Sequence, residues 1–167
     1  AELKEQVSKL EEGGGSEDDL GSAKAKLEEA EARAIEFKTG EYERKVLAHP
    51  TDYELKLVYG ELLMQGGSHD QAIEQFQKAV KDPKFKVRAQ NNMGKCFQKK
   101  NVHAIAITQY QEALKGVADP DSDIAKDIRY NLATAAEDNG EYDDALEQYQ
   151  IIMATDIGFR DVSTRVD

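Results

Sequence analysis

The residues of this chain recur with a period of 34. Gly60 is matched by Gly94, Leu63 by Phe97, Ala72 by Ala106, Ile73 by Ile107, Phe76 by Tyr110 and Ala79 by Ala113, all without a gap. A third copy follows a five-residue insertion, with Leu132-Ala133 in the place of Tyr59-Gly60 and Met93-Gly94, and Gly140 to Leu146 leading to Tyr149. A unit this short cannot enclose a core by itself, so successive units must stack and share one. Glycine inside a helix costs about 1 kcal/mol relative to alanine. Gly60 and Gly94 therefore need compensation, which a close helix crossing supplies: Ala72 or Ala106 approaches the glycine while Phe76 or Tyr110 fills the space beside it. The three prolines, Pro50, Pro83 and Pro120, fall between units, where the missing N–H interrupts no hydrogen-bond ladder.

These residues resemble the tetratricopeptide-repeat family, whose units carry a leucine-glycine pair in the first helix, an alanine and an aromatic in the second, and a closing proline. The resemblance spans about residues 36 to 157. It implies an all-α fold, a right-handed superhelical solenoid of three helical pairs, with protein or peptide binding in a concave groove and no catalysis. The sequence departs from the family pattern where Lys56, Gln90 and Arg129 replace a tryptophan, Ala133 a glycine and Ile152 a small residue. Pro50-Thr51-Asp52, Asp82-Pro83 and Asp156 to Val162 are similar to a group of bacterial repeat proteins of unassigned role.

Ahead of the repeats, Ser16 followed by Glu17, Asp18 and Asp19 is a good helix start, a capping hydroxyl with acids on the positive end. The pattern runs on as one helix to about Ala48. Within it Leu20, Ala23, Leu27, Ala30, Ala34 and Phe37 are spaced 3, 4, 3, 4, 3, the seam of a short coiled coil, and Leu3, Val7 and Leu10 keep that rhythm. With Gly13-Gly14-Gly15 between the two stretches, residues 2–12 and 17–38 read as arms of a hairpin zipped along the seam, within one chain or between two; a frayed, solvated terminus is the alternative. Further along, the apolar stripe becomes Ile35, Tyr42 and Val46, with Gly40 marking the changeover, so this end should lie against the first full repeat as a degenerate second helix. The expected division is a hairpin over 1–38 and a repeat domain over 39–167. The latter comprises the helix to 49, units at about 52–83, 86–117 and 124–156, and the start of a C-terminal helix at 159–167. A helix of some 32 residues spans ~48 Å and a repeat helix of 14 only ~21 Å, so the N-terminal half needs another partner.

The net charge of −11 is unevenly laid out. Residues 1–50 hold 13 acids and 8 bases, residues 51–117 hold 7 and 10, and residues 118–167 hold 13 and 4. The acidic whole, with pI near 4.8, argues against a nucleic-acid partner, and no apolar run approaches the ~20 residues a membrane span needs. The sequence opens at Ala1 without a basic-then-apolar leader, so a targeting signal lies outside it or does not exist. A lone cysteine, Cys96, suits a reducing, cytoplasmic setting. Lying between Met93 and Phe97 without a histidine at helical spacing, it reads as packing.

No cofactor or metal is expected. Gly13-Gly14-Gly15-Ser16 lacks a phosphate loop's lysine, and Asp119 to Asp123 opens like a calcium loop but puts Ile124 and Tyr130 where the turn glycine and the bidentate glutamate belong. His69 and His103, one period apart, sit at equivalent turns but lack the further ligands of a zinc site.

The family geometry lines the groove with the first helices of the units, and residues spaced 3, 4 and 3 share a helix face. They are Glu54, Leu57, Glu61 and Met64 in the first unit. The second supplies Arg88, Asn91, Lys95 and Gln98 with Lys99 beside them, and the third Asp127, Tyr130, Thr134 and Glu137. The groove is thus mixed, then basic, then acidic. Family members that grip a terminal carboxylate use lysines and asparagines over three units; only Asn91, Asn92 and Lys95 match here and Glu61 opposes, so that activity is not carried over. The expected partner is a protein or peptide, acidic if it engages the basic middle. The alternative is a homo-oligomer in which the acidic end of one chain meets the basic middle of the next.

Overall fold

The structure, a computed structural model, describes residues 2–13 and 16–166. Among them there are nine helices and no strand. These are α1 (Glu2–Gly13), α2 (Glu17–Ala48), α3 (Tyr53–Gln65), α4 (His69–Ala79), α5 (Pro83–Lys99), α6 (His103–Lys115), α7 (Asp123–Asn139), α8 (Tyr142–Thr155) and α9 (Val162–Val166). Consecutive helices pack against each other from α1 to α9, and α3, α5 and α7 also touch in succession. That is the contact pattern of a solenoid, in which each unit meets only its neighbours.

The helices of each of the first two units cross closely at the glycine. A Cβ on Gly60 would lie 2.7 Å from the Phe76 ring and one on Gly94 2.5 Å from the Tyr110 ring, closer than packed atoms come. Both rings are wholly buried, as are Ala72 and Ala106. The turns inside the units need a left-handed residue, and Gly67, Asn101 and Gly140 supply it with φ of 79°, 59° and 83°; asparagine is one of the few other side chains that visit this region. Two cores result. One gathers Leu57, Leu63, Phe76, Met93 and Cys96, the other Tyr110, Ile128, Leu132, Tyr149, Ile152 and Val162.

Helix starts follow local chemistry. Ser16, Asp52, Asp82 and Ser122 each accept a hydrogen bond from a backbone N–H in the first turn they open. Pro83 is the first residue of α5, three positions ahead of the expected unit start, because proline's fixed φ suits that position and its absent N–H is one the helix leaves unpaired anyway. The aspartates around Pro120 build a turn: Asp119 accepts from the Asp121 N–H at 3.0 Å and Ser122 caps α7. At the C-terminus the helix begins at Val162 instead of 159, after a turn in which Arg160 takes φ 50°.

The N-terminal helices pack antiparallel. Glu11 pairs with Lys24 at 2.7 Å and Lys4 with Glu31 at 2.9 Å; Val7 and Ala23 are buried between them. Gly14 and Gly15 lie outside the described residues. The seam is shorter than its rhythm suggests: α1 reaches only to about Glu31, and Ala30, Ala34 and Phe37 remain exposed, Phe37 by 66%. Twelve residues of α1 extend ~18 Å, too short to follow α2 further. α2 itself passes through Gly40 without a break.

Candidate functional site

The predicted groove residues lie on α3, α5 and α7, which stand side by side, but most of them are already engaged. Leu57 is corrected outright: at 1% exposure it belongs to the core against the second helix of its unit and offers no ligand a surface. Glu61 receives Arg88 in a bidentate pair, Nε at 2.6 Å and Nη2 at 2.7 Å, and also accepts from Asn92 Nδ2 at 2.9 Å. This fork-on-carboxylate geometry is strong and directional, so Arg88 is turned toward α3. Glu54 faces Lys84 at 3.8 Å. Asn91 is buried and accepts from Asn131 Nδ2 at 3.2 Å. The expected convergence of Arg88, Asn91, Lys95 and Lys99 on one ligand thus reduces to its last two members.

The acidic row of α7 is covered by the chain's own C-terminal segment. Arg160 pairs with Asp127 and lies 4.4 Å from the centre of the Tyr130 ring. The Tyr130 hydroxyl donates to Asp161 at 2.6 Å, and Arg165 reaches Glu137, which also accepts from the Tyr149 hydroxyl at 2.9 Å. Tyr130 and Arg165 hold the Asp161 carboxyl below the usual aspartate range, while burial first and Asp161 second push the Tyr130 phenol up.

Between these neutralised regions an open cleft of about 720 Å³ remains. Met64 and Gln65 from α3 form one wall, Lys95, Gln98 and Lys99 from α5 the floor, and Asn131, Thr134 and Asp138 from α7 the other wall, with His69, Asn101 and His103 closing the turn end. Gln98 organises it: its amide donates to Thr134 at 3.2 Å and Asp138 at 3.1 Å while its carbonyl accepts from the Tyr110 hydroxyl at 3.0 Å. Among the described residues Lys95 and Lys99 enter no ion pair, whereas the neighbouring Lys100 is tied to Asp70.

Of the predicted set, the cleft therefore unites Met64, Lys95, Gln98, Lys99 and Thr134. The sequence reading missed Gln65, His69, Asn101, His103, Asn131 and Asp138. His69 and His103 did carry a signal, their spacing of one period, which places both at the same end of successive units. Among the described residues no cluster of three or more histidine, cysteine or acidic side chains has the arrangement of a metal site. Cys96 lies in the core, its thiol pushed up to about 11 by burial, which keeps it protonated and unreactive near neutral pH.

The tetratricopeptide-repeat family model matches residues 18–85 and 93–156, starting further toward the N-terminus than the motif residues alone suggest. A comparison with curated proteins found no match. Among solved structures the chain is similar to a crystal structure of MamA, with TM-score 0.70 and 23% identity over 79% of this chain and 74% of that one. A structure titled MamA AMB-1 aligns with TM-score 0.64 and 19% identity over 99% and 89%. One titled MamA RS-1 ArsTM double mutant aligns with TM-score 0.66 and 15% identity over 93% and 85%. At these identities the likeness is one of fold.

Proposed function

Because the chain belongs to the tetratricopeptide-repeat family, a family of protein-interaction scaffolds, we propose that it binds an acidic peptide segment of a partner protein in the cleft between α3, α5 and α7, without catalysis. One observation carries this reading: Lys95 and Lys99 line the cleft and, among the described residues, enter no ion pair, whereas Arg88 beside them is held by Glu61. Arg88, Asp127 and Glu137 are paired internally, so a ligand gains little by displacing them, while Asp138 on the α7 wall is held by the Gln98 amide. Two cations against apolar Met64 and the amides of Gln65 and Asn131 suit an extended backbone carrying Asp or Glu. A charge-assisted hydrogen bond to half-buried Lys95 is worth up to ~1.5–3 kcal/mol, whereas a pair with exposed Lys99 gives under ~1 kcal/mol.

The test is a fluorescence-anisotropy titration with a labelled acidic peptide. Lys95→Glu with Lys99→Glu removes binding and leaves the melting temperature in place. Lys78→Glu with Lys81→Glu, on and just past the end of α4, has little effect, and affinity falls as salt rises. Equal loss from both pairs reduces the attraction to the general field of a basic region and refutes the cleft.

A further inference from the structure

A second cleft, of opposite charge, opens on the other side of the α3–α4 turn. It measures about 510 Å³ and lies where α2 leaves the repeats and runs on past the end of α3. Its floor is apolar: Ile35 of α2 meets the chain at Gly66, where a Cβ would stand 3.7 Å from the Ile35 Cγ2, with Leu62 and Leu63 beneath. Its rim on α2 carries Glu28, Glu31 and Glu36, and no lysine, arginine or histidine lines it. Glu31 is shared with Lys4 of α1, while Glu28 and Glu36 form no ion pair among the described residues. α1 does not close the gap, since it packs on α2 without touching α3.

We propose that this notch docks a basic amphipathic helix of a partner protein. The apolar floor takes one or two bulky aliphatic side chains. The carboxylates of Glu28 and Glu36, eight residues and ~12 Å apart along α2, take lysines or arginines on either side of them. Charge complementarity selects the occupant. A second copy of this chain pressing its own α2 into the notch brings acids against acids, because residues 28–41 hold five glutamates and two bases, so self-pairing through this helix is disfavoured. The occupant also differs in sign from the ligand of the Lys95 cleft, although Gln65 borders both. A partner with an acidic stretch near a basic helix can engage the two sides of one turn together. The notch stands on its own geometry and does not depend on the acidic-peptide reading.

The probe is a 14-residue alanine-based helix with leucines on one stripe and two lysines seven positions apart flanking them, followed by anisotropy against the full chain. Binding is expected, weakening with salt, and the same helix with glutamates for lysines does not bind. Glu28→Lys with Glu36→Lys lowers affinity by about tenfold or more. Ala32→Phe, which fills the notch from the α2 wall without changing charge, does the same. Lys95→Glu with Lys99→Glu leaves this binding intact, so failure here and failure of the acidic-peptide reading are told apart. Binding that survives both the charge reversal and Ala32→Phe overturns the proposal. So does a concentration-dependent rise in the protein's mass that Ala32→Phe abolishes, since the occupant is then a second copy.

Discussion

Gly94 decides whether the middle unit closes. Its missing side chain admits the Tyr110 ring, which is wholly buried and whose hydroxyl is fixed by Gln98, so the ring has nowhere to retreat. Gly94→Leu should lower stability by ~1–3 kcal/mol or more. Gly40 is the matched contrast: it sits inside α2 with nothing within 4 Å of its would-be Cβ, so Gly40→Ala should raise stability by up to about 1 kcal/mol through propensity alone. Thermal unfolding of the two variants separates the cases, and shifts of the same sign would refute the close-crossing account. Both glycines look alike as letters; what told them apart in the sequence was the period, because only Gly94 has a counterpart and a partner aromatic at fixed distance. The occupation of Glu61 by Arg88 was not legible, since which acid meets which base depends on how α3 and α5 lie side by side. The burial of Leu57 was missed for a related reason: a 3-4-3 stripe marks a helix face without saying how far the neighbouring helix wraps around it.

The elements at the two ends behave differently. α1 is held to α2 by half-buried leucines and two ion pairs, and Leu20→Asp with Leu27→Asp should release it while the repeats stay folded, because solenoid units depend mainly on their neighbours. Amide exchange should then quicken in α1 and the first part of α2 only; quickening throughout would show that the hairpin supports the solenoid. At the other end α9 is fastened by Val162 in the core and by Asp161, whose carboxyl Tyr130 and Arg165 hold below its usual range. A carboxyl with a depressed folded value contributes stability that is present above the unfolded pKa and is lost as pH falls through the folded one. Amides of 162–166 should therefore keep full protection above the ordinary aspartate range and lose it progressively as pH falls from there through the lower folded value, whereas Asp161→Asn should open them at neutral pH. Exchange unaffected by Asp161→Asn would mean that Val162 alone anchors the helix. The sequence disclosed a helix start at this end without its role, because the arginine and aspartate that cover α7 find their partners some 30 residues back in the chain.

At the scale of the whole molecule, the uneven charge noted in the sequence resolves into three inner regions. Arg88 and Glu61 cancel in the first, the C-terminal arginines cancel Asp127 and Glu137 in the last, and between them is left a cleft in which Lys95 and Lys99 stand across from Asp138. No helix among the described residues is long and apolar enough to cross a membrane. The architecture was readable from one period and its glycine-aromatic pairs. The cleft was readable only in part, since its cations lie on the predicted stripe while its turn-end walls come from residues outside that stripe. On this reading the ligand enters the inner cleft between α3, α5 and α7. Backbone chemical-shift mapping of the labelled protein titrated with an acidic peptide tests it most directly. Shifts concentrated on the last turns of α5, the α3–α4 turn and the inner face of α7 are the result predicted; shifts confined to the outer faces of α4 and α6 would contradict it.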